Sequence, residues 1–298
     1  MVRAVVAAVV VATFGTGLAA CGGSHKRSSS GSTTTTFALP ELPSIPSSSP
    51  PTSSSAHGPA TTARTAGPCA GAPDGTAAVN RLIAATRDGS TLTFPAGACF
   101  RVDGTIDVVG RHRITIDGNG ATFARGSAPP RGRFSPQWLV QGSSGVTISN
   151  VHVTGPKPSD AGFDPDYEGQ PGVAIDNSTD VTFEHSVVDD VWGDFFRISN
   201  RTDRVRIAGN RLTEAGRQGL AVVGGSHITF DGNVVTRARR FAVDLEPYPS
   251  TPVRFVTITN NRFFDPSIGF VCATGYDNRC ARGAALSDVT VEGNIQEG

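Results

Sequence analysis

A six-residue phrase recurs along this chain, and no single copy of it can bury its own apolar face. Val205-Arg-Ile-Ala-Gly-Asn210, Ile228-Thr-Phe-Asp-Gly-Asn233 and Val256-Thr-Ile-Thr-Asn-Asn261 share one pattern: apolar, gap, apolar, then an Asn five places after the first residue. The phrase also stands at Ile114–Asn119 and Val289–Asn294, and weaker copies from Val146 and Val181 carry Val151 and Ser186 in place of the Asn. Successive copies start 32, 35, 24, 23, 28 and 33 residues apart. A period in that range marks a repeat architecture, in which each unit is completed only by its neighbours.

Alternation within the phrase is that of a strand with one buried face. A second short strand precedes most copies, as Gly172–Asp176, Phe195–Ser199, Gly219–Val223 and Phe241–Glu246. Units of two or three short strands, wound and stacked, make a parallel β-solenoid that rises roughly 4.8 Å per coil. The repeated Asn then falls at one turn of successive coils, where side-chain amides can bond in a ladder. Asn119, Asn210, Asn233, Asn261 and Asn294 are the expected members. A β-sandwich also has many short strands, but it favours tight hairpins and has no Asn at a fixed phase. The repeat phase predicts about seven to nine coils.

Residues 1–21 read as an export signal: Arg3, then the apolar run Ala4–Ala12, then Leu18-Ala-Ala-Cys21. That ending resembles the bacterial lipobox, which implies lipid attachment at Cys21 and an extracytoplasmic, membrane-anchored protein. Residues 22–67 are dominated by Ser, Thr, Pro and Gly. Such a stretch buries too little apolar surface to offset ordering entropy and reads as a disordered linker. The folded domain is expected over 68–298. It should open with an amphipathic helix carrying Val79, Leu82 and Ile83 behind an N-cap at Asp74. A helix there would cover the open edge of the first coil. Four cysteines remain after Cys21, an even number that suggests disulfides in an exported chain. Of three possible pairings, Cys69–Cys99 with Cys272–Cys280 is favoured, because it ties the cap to the first coil and closes a late loop. No Cys-x-x-Cys pair argues for a metal. Formal net charge is zero, with 26 cationic and 26 anionic side chains, and no basic run points to nucleic acid.

The segments Asp74-Gly-Thr-Ala-Ala-Val-Asn-Arg-Leu-Ile-Ala-Ala and Thr91-Leu-Thr-Phe-Pro-Ala-Gly, followed by the Asn phrases, resemble the right-handed parallel β-helix proteins of the pectate-lyase-like superfamily. The resemblance runs from about Asp74 to the C-terminus and implies an all-β, right-handed solenoid. It also implies a polysaccharide partner. The polygalacturonase branch carries three Asp, a Gly-His-Gly and an Arg-x-Lys on the corresponding strands. Here Asp194 follows Gly193, Arg217-Gln218-Gly219 stands for Gly-His-Gly, and Arg239-Arg240 is followed by Phe241, so the full set is missing.

Aligning the strands before each phrase by their inward pairs predicts two outward columns: Ala174, Arg197, Ala221, Asp244, Val271, and Asp176, Ser199, Val223, Glu246, Ala273. Trp192, Asp194, Arg217, Gln218, Arg239 and Arg240 lie where these strands begin. The expected catalytic residues are Asp194, Arg197, Asp244 and Glu246. Asp176, Trp192, Arg217, Gln218, Arg239, Arg240 and Tyr167 are the expected substrate contacts. Two carboxyls roughly 6.5–9.5 Å apart would suit an inverting glycosidase. Arg side chains beside a base would suit a lyase or epimerase acting on uronic acids. The other expectation for this face is surface ion pairing in a protein that binds glycan or serves as a rigid rod. The 155–171 insertion is acidic through Asp160, Asp164, Asp166 and Glu168; no cofactor is expected, with calcium the one conceivable ion.

Overall fold

The structure, a computed structural model, describes residues 69–248, 250–264, 269–272 and 286–297. The expected export signal, the expected linker and the expected Cys272–Cys280 pairing lie outside the described residues. Three parallel sheets run the length of the domain, two of eight strands and one of seven. Among the described residues each of seven turns gives one strand to every sheet and an eighth gives strands to the first two, so the chain winds through eight coils of a right-handed parallel β-helix.

The phrase builds the first sheet. Val146, Val181, Val205, Ile228, Val256 and Val289 align in one column; Ile116, Ile148, Phe183, Ile207, Phe230, Ile258 and Val291 align in the next. Up to Ile258 every member of both columns is buried. At the corner that follows, the chain turns through left-handed backbone at His185, Gly209, Gly232, Asn260 and Gly293, with φ between 50° and 65°. Glycine and Asn tolerate that geometry best, which explains the Gly-Asn ending of the phrase.

The amide ladder stands just beyond. Asn210, Asn233 and Asn261 each accept, at Oδ1, the backbone N–H of the preceding rung. Asn294 does the same at the end, and the four N–H···O distances are 2.8–3.0 Å. Their Nδ2 groups donate to carbonyls of Phe183, Ile207, Phe230 and Ile258. Ser186 is the first rung, accepting from Val151 N–H at 3.1 Å. Asn119 does not belong. Its corner is longer, Ala121 takes the inward place above Val151, and Asn119 is exposed with Nδ2 on the Phe94 carbonyl at 3.3 Å. A second ladder, of hydroxyls, lines the corner between third and first sheets. Ser143 N–H donates to Ser178 Oγ at 3.1 Å, and Ser178 N–H reaches Thr202 Oγ1 at 3.5 Å.

The helix Thr76–Ala85 covers the first coil with Val79 and Ile83, while Leu82 faces solvent. Asp74 sits one residue before the N-cap Gly75, and its carboxylate accepts Thr76 N–H at 3.0 Å. A Cys69–Cys99 disulfide ties this end to the second sheet.

In the third sheet the inward pairs align as expected, with Phe196 between Val173 and Leu220 and Val222 beside Leu245. Arg197, Ala221 and Asp244 share the outward column, but Asp244 pairs with Cys272, and Val271 pairs with inward Val243. Two insertions, 125–137 and 155–172, emerge where the second sheet hands over to the third. They brace each other: Gly132 N–H donates to the Asp166 carbonyl and Ser135 N–H to the Gly169 carbonyl, both at 2.8 Å. Arg131 ion-pairs with Asp164 at 3.1 Å and Asp166 at 2.9 Å.

Candidate functional site

Where the third sheet begins in its later coils, Arg217 gathers three carboxylates. One terminal nitrogen donates to both oxygens of Asp194, at 3.2 and 3.1 Å; the other donates to both oxygens of Glu246, at 2.9 and 3.1 Å. Glu168, from the 155–172 insertion, lies 3.6 Å from its Nε. Gln218 completes the knot. Its backbone N–H donates to Asp194 at 3.1 Å, and its amide nitrogen donates to Asp244 and, at 3.2 Å, to Glu246. The predicted residues Asp194, Arg217, Gln218, Asp244 and Glu246 are therefore brought together.

Burial decides the charge states. Asp194 is fully buried, which pushes its carboxyl up to about 6; Arg217 opposes the shift and the charge of Glu246 adds to it. Burial, then the hydrogen bond and charge of Glu246, push Asp244 up to about 9. Asp244 Oδ1 makes no hydrogen bond, while Oδ2 accepts from the Gln218 amide. Burial works against the Glu246 carboxylate, but the bond from Asp244, the charge of Arg217 and the bond from Gln218 hold it below the usual range. Burial likewise opposes the Arg217 cation and is outweighed by Asp194 and Glu246. So Asp244 holds a proton and shares it with ionised Glu246. The two carboxyls act as one proton-holding dyad rather than as groups standing roughly 6.5–9.5 Å apart. Glu246 is the member that meets solvent, with 23 % of its side chain exposed.

A cleft of about 190 Å³ lies on the same face. Leu139, Gln141, Asp176, Arg197, Ser199 and Val223 line it, with Phe134 and Tyr248 as aromatic walls. Both aromatic residues are 54 % exposed. The cleft follows the outward column of Gln141, Asp176 and Ser199. Glu246 comes after Val223 in that column, its N–H bonded to the Val222 carbonyl of the preceding coil, and is not among the residues that line the cleft. Asp176 is satisfied by Gln141 at 2.9 Å, Ser199 at 2.7 Å and Asn200. Arg197 lies over the Phe134 ring, 5.3 Å from its centroid, and makes no hydrogen bond or ion pair with the described residues. Arg197 and Asp176 thus belong to the cleft, and Arg197 does not touch the dyad.

The remaining predicted contacts lie elsewhere. Tyr167 stacks on Trp192 at 4.4 Å and carries Arg131 over its ring at 5.0 Å, so its stacking partners come from within the chain. Arg240 covers Phe163 at 5.2 Å. Arg239 turns to the second sheet and joins Lys157 and Arg237 around Glu214, where it also binds the Ser159 carbonyl. Asp164 and Asp166 are engaged by Arg131. Among the described residues no three His, Cys, Asp or Glu side chains group to hold a metal ion.

Sequence reasoning did not find Phe134, Tyr248 or Gln141. Gln141 was within reach, because Trp138–Gln141 aligns with Val173–Asp176 in the third sheet. Phe134 lies in an insertion without periodicity and gives no such signal.

Residues 139–298 match the sequence family described as "Right handed beta helix region". Among solved structures, endo-xylogalacturonan hydrolase from Aspergillus tubingensis is 15% identical, with a TM-score of 0.41 over 77% of this chain and 84% of that chain. Alginate lyase from Paenibacillus sp. str. FPU-7 is 10% identical, with a TM-score of 0.41 over 75% of this chain and 96% of that chain. No curated protein matches the sequence.

Proposed function

The chain belongs to the right-handed β-helix family, and from that premise we propose that it acts on a polysaccharide laid along the outward face of the third sheet. The observation that carries the proposal is the cleft. It has exposed aromatic walls for sugar faces and a guanidinium without an acceptor among the described residues, and the proton-holding dyad follows in the next coil beyond Val223. Arg197 neutralises an acidic sugar, and the Asp244–Glu246 dyad handles the proton. That division of labour suits a lyase or epimerase; a hydrolase would use the dyad as proton donor.

Purified protein incubated with uronate and neutral polysaccharides tests this. Ultraviolet absorbance of unsaturated uronate with new reducing ends indicates a lyase, and new ends alone indicate a hydrolase. Arg197→Ala is expected to weaken polysaccharide binding by about tenfold or more, the loss of one charge-assisted contact. An unchanged isotherm would remove Arg197 from the site. One observation favours binding without turnover. The Glu246 carboxylate is already occupied by Arg217, Gln218 and Asp244, which weakens it as a base. Binding by wild-type protein with silence in both product channels would establish that reading.

The proposal extends to location. Cys21 carries the lipid, and residues 22–67 tether the solenoid outside the membrane. Cys21→Ser is expected to move the protein from the membrane fraction to the soluble fraction and to abolish incorporation of labelled fatty acid. Retention in the membrane would count against the anchor.

A further inference from the structure

Asp194, Asp244 and Glu246 crowd three largely buried carboxyl groups beside one cation, which favours a proton on at least one of them. Asp194 and Glu246 share Arg217, each through both oxygens, while Asp244 faces Glu246 across a hydrogen bond. We infer that this knot is a pH-sensitive charge switch: it holds one proton, at Asp244, at neutral pH, and takes up a second, at Asp194, in mild acid. With one proton the four side chains carry one net negative charge; with two they carry none.

Geometry makes Asp194 the switching group. It is sealed from solvent, and the groups facing it are few. Arg217 and the Gln218 N–H come from the turn before Leu220–Val222. Asp244 and Glu246 come from the next coil, and Glu168 approaches Arg217 from the insertion. When Asp194 gains its proton, Arg217 is left to Glu246 and the like charge behind Glu246 disappears. The coil beyond the cleft then becomes less repulsive to an anionic group. That last consequence rests on the polysaccharide reading; the switch itself does not, and it can be tested without ligand.

Sign follows from linkage. A carboxyl raised on folding adds stability below its unfolded value, loses it as pH rises to the folded value, and is level beyond. For Asp194 the loss spans about pH 4 to 6. Thermal unfolding of wild type and Asp194→Asn should show a difference that changes by about 5 °C across that window and is flat above it. Asp190, also pushed up to about 6 by burial, titrates in both proteins and cancels in the difference. Should Asp194→Asn fail to fold, carbon NMR of the wild-type aspartate carboxyls serves instead. Two aspartate carboxyls, Asp190 and Asp194, should titrate near pH 6, and Glu246→Gln should move only the Asp194 midpoint down. A difference that is flat from pH 4 to 7, or the absence of any carboxyl near pH 6 that Glu246→Gln moves, would overturn the switch.

Discussion

Arg217→Ala is expected to destabilise the domain by about 3–5 kcal/mol, the usual result of stripping one partner from a buried ion pair. Asp194 would keep the Gln218 N–H but lose its cation inside the protein, and Glu246 would face Asp244 with nothing to hold it ionised. For a domain of this size that loss lowers the unfolding temperature by about 10 °C. The penalty should shrink in mild acid, where Asp194 takes a proton and no longer needs the cation. A second change, Asp194→Asn, should restore part of the stability in the Arg217→Ala background, and the coupling energy of the cycle measures the pair. Additive losses would mean that Arg217 acts through packing alone.

Asn233→Ala should cost nearly as much, about 3–4 kcal/mol. Its Oδ1 accepts the N–H and the amide of Asn210, and its Nδ2 donates to the Ile207 carbonyl and to Asn261. Alanine leaves the Asn210 N–H and the Ile207 carbonyl buried and unsatisfied, each at about 1–3 kcal/mol. Asn119→Ala supplies the contrast. That side chain is exposed and makes one contact of 3.3 Å to the Phe94 carbonyl, so a change of less than about 0.5 kcal/mol is expected. Urea midpoints for the two variants decide the matter, and equal shifts would deny the ladder its role.

The two Asn variants also mark how far the sequence could be read. The phrase made Asn210, Asn233, Asn261 and Asn294 legible as rungs, because position in a repeat translates directly into position in a stack. Asn119 sits in the same phrase, yet its corner holds extra residues, and a one-dimensional pattern does not reveal a longer turn. The third-sheet columns were legible for the same reason. They joined Arg197 to the Asp244 column and slipped only in the last coil, at Cys272. Side-chain direction was less accessible. Arg217 could have pointed anywhere at the start of its strand, and its choice of Asp194 and Glu246 depends on two other coils. Arg239, one coil later, turned to Glu214 on the second sheet instead. Phe134 and Tyr248 stood outside every repeat, and walls built from insertions have no phase to read.

Stacking by neighbours alone also has a mechanical meaning. The hydrogen bonds that join one coil to the next run along the rod, so a pull along the rod loads few of them at a time. Tension at the far end would part the coils in series, as a zipper opens, without waiting for the whole domain to yield. A coil such as the one from Val181 to Val205, 24 residues long, would release roughly 80 Å of chain while the rod shortened by roughly 4.8 Å. At the opposite end the Cys69–Cys99 bridge carries a load past the helix and the first strand directly to Cys99, so the residues between them release no chain. The solenoid is thus a spool whose first turn is pinned.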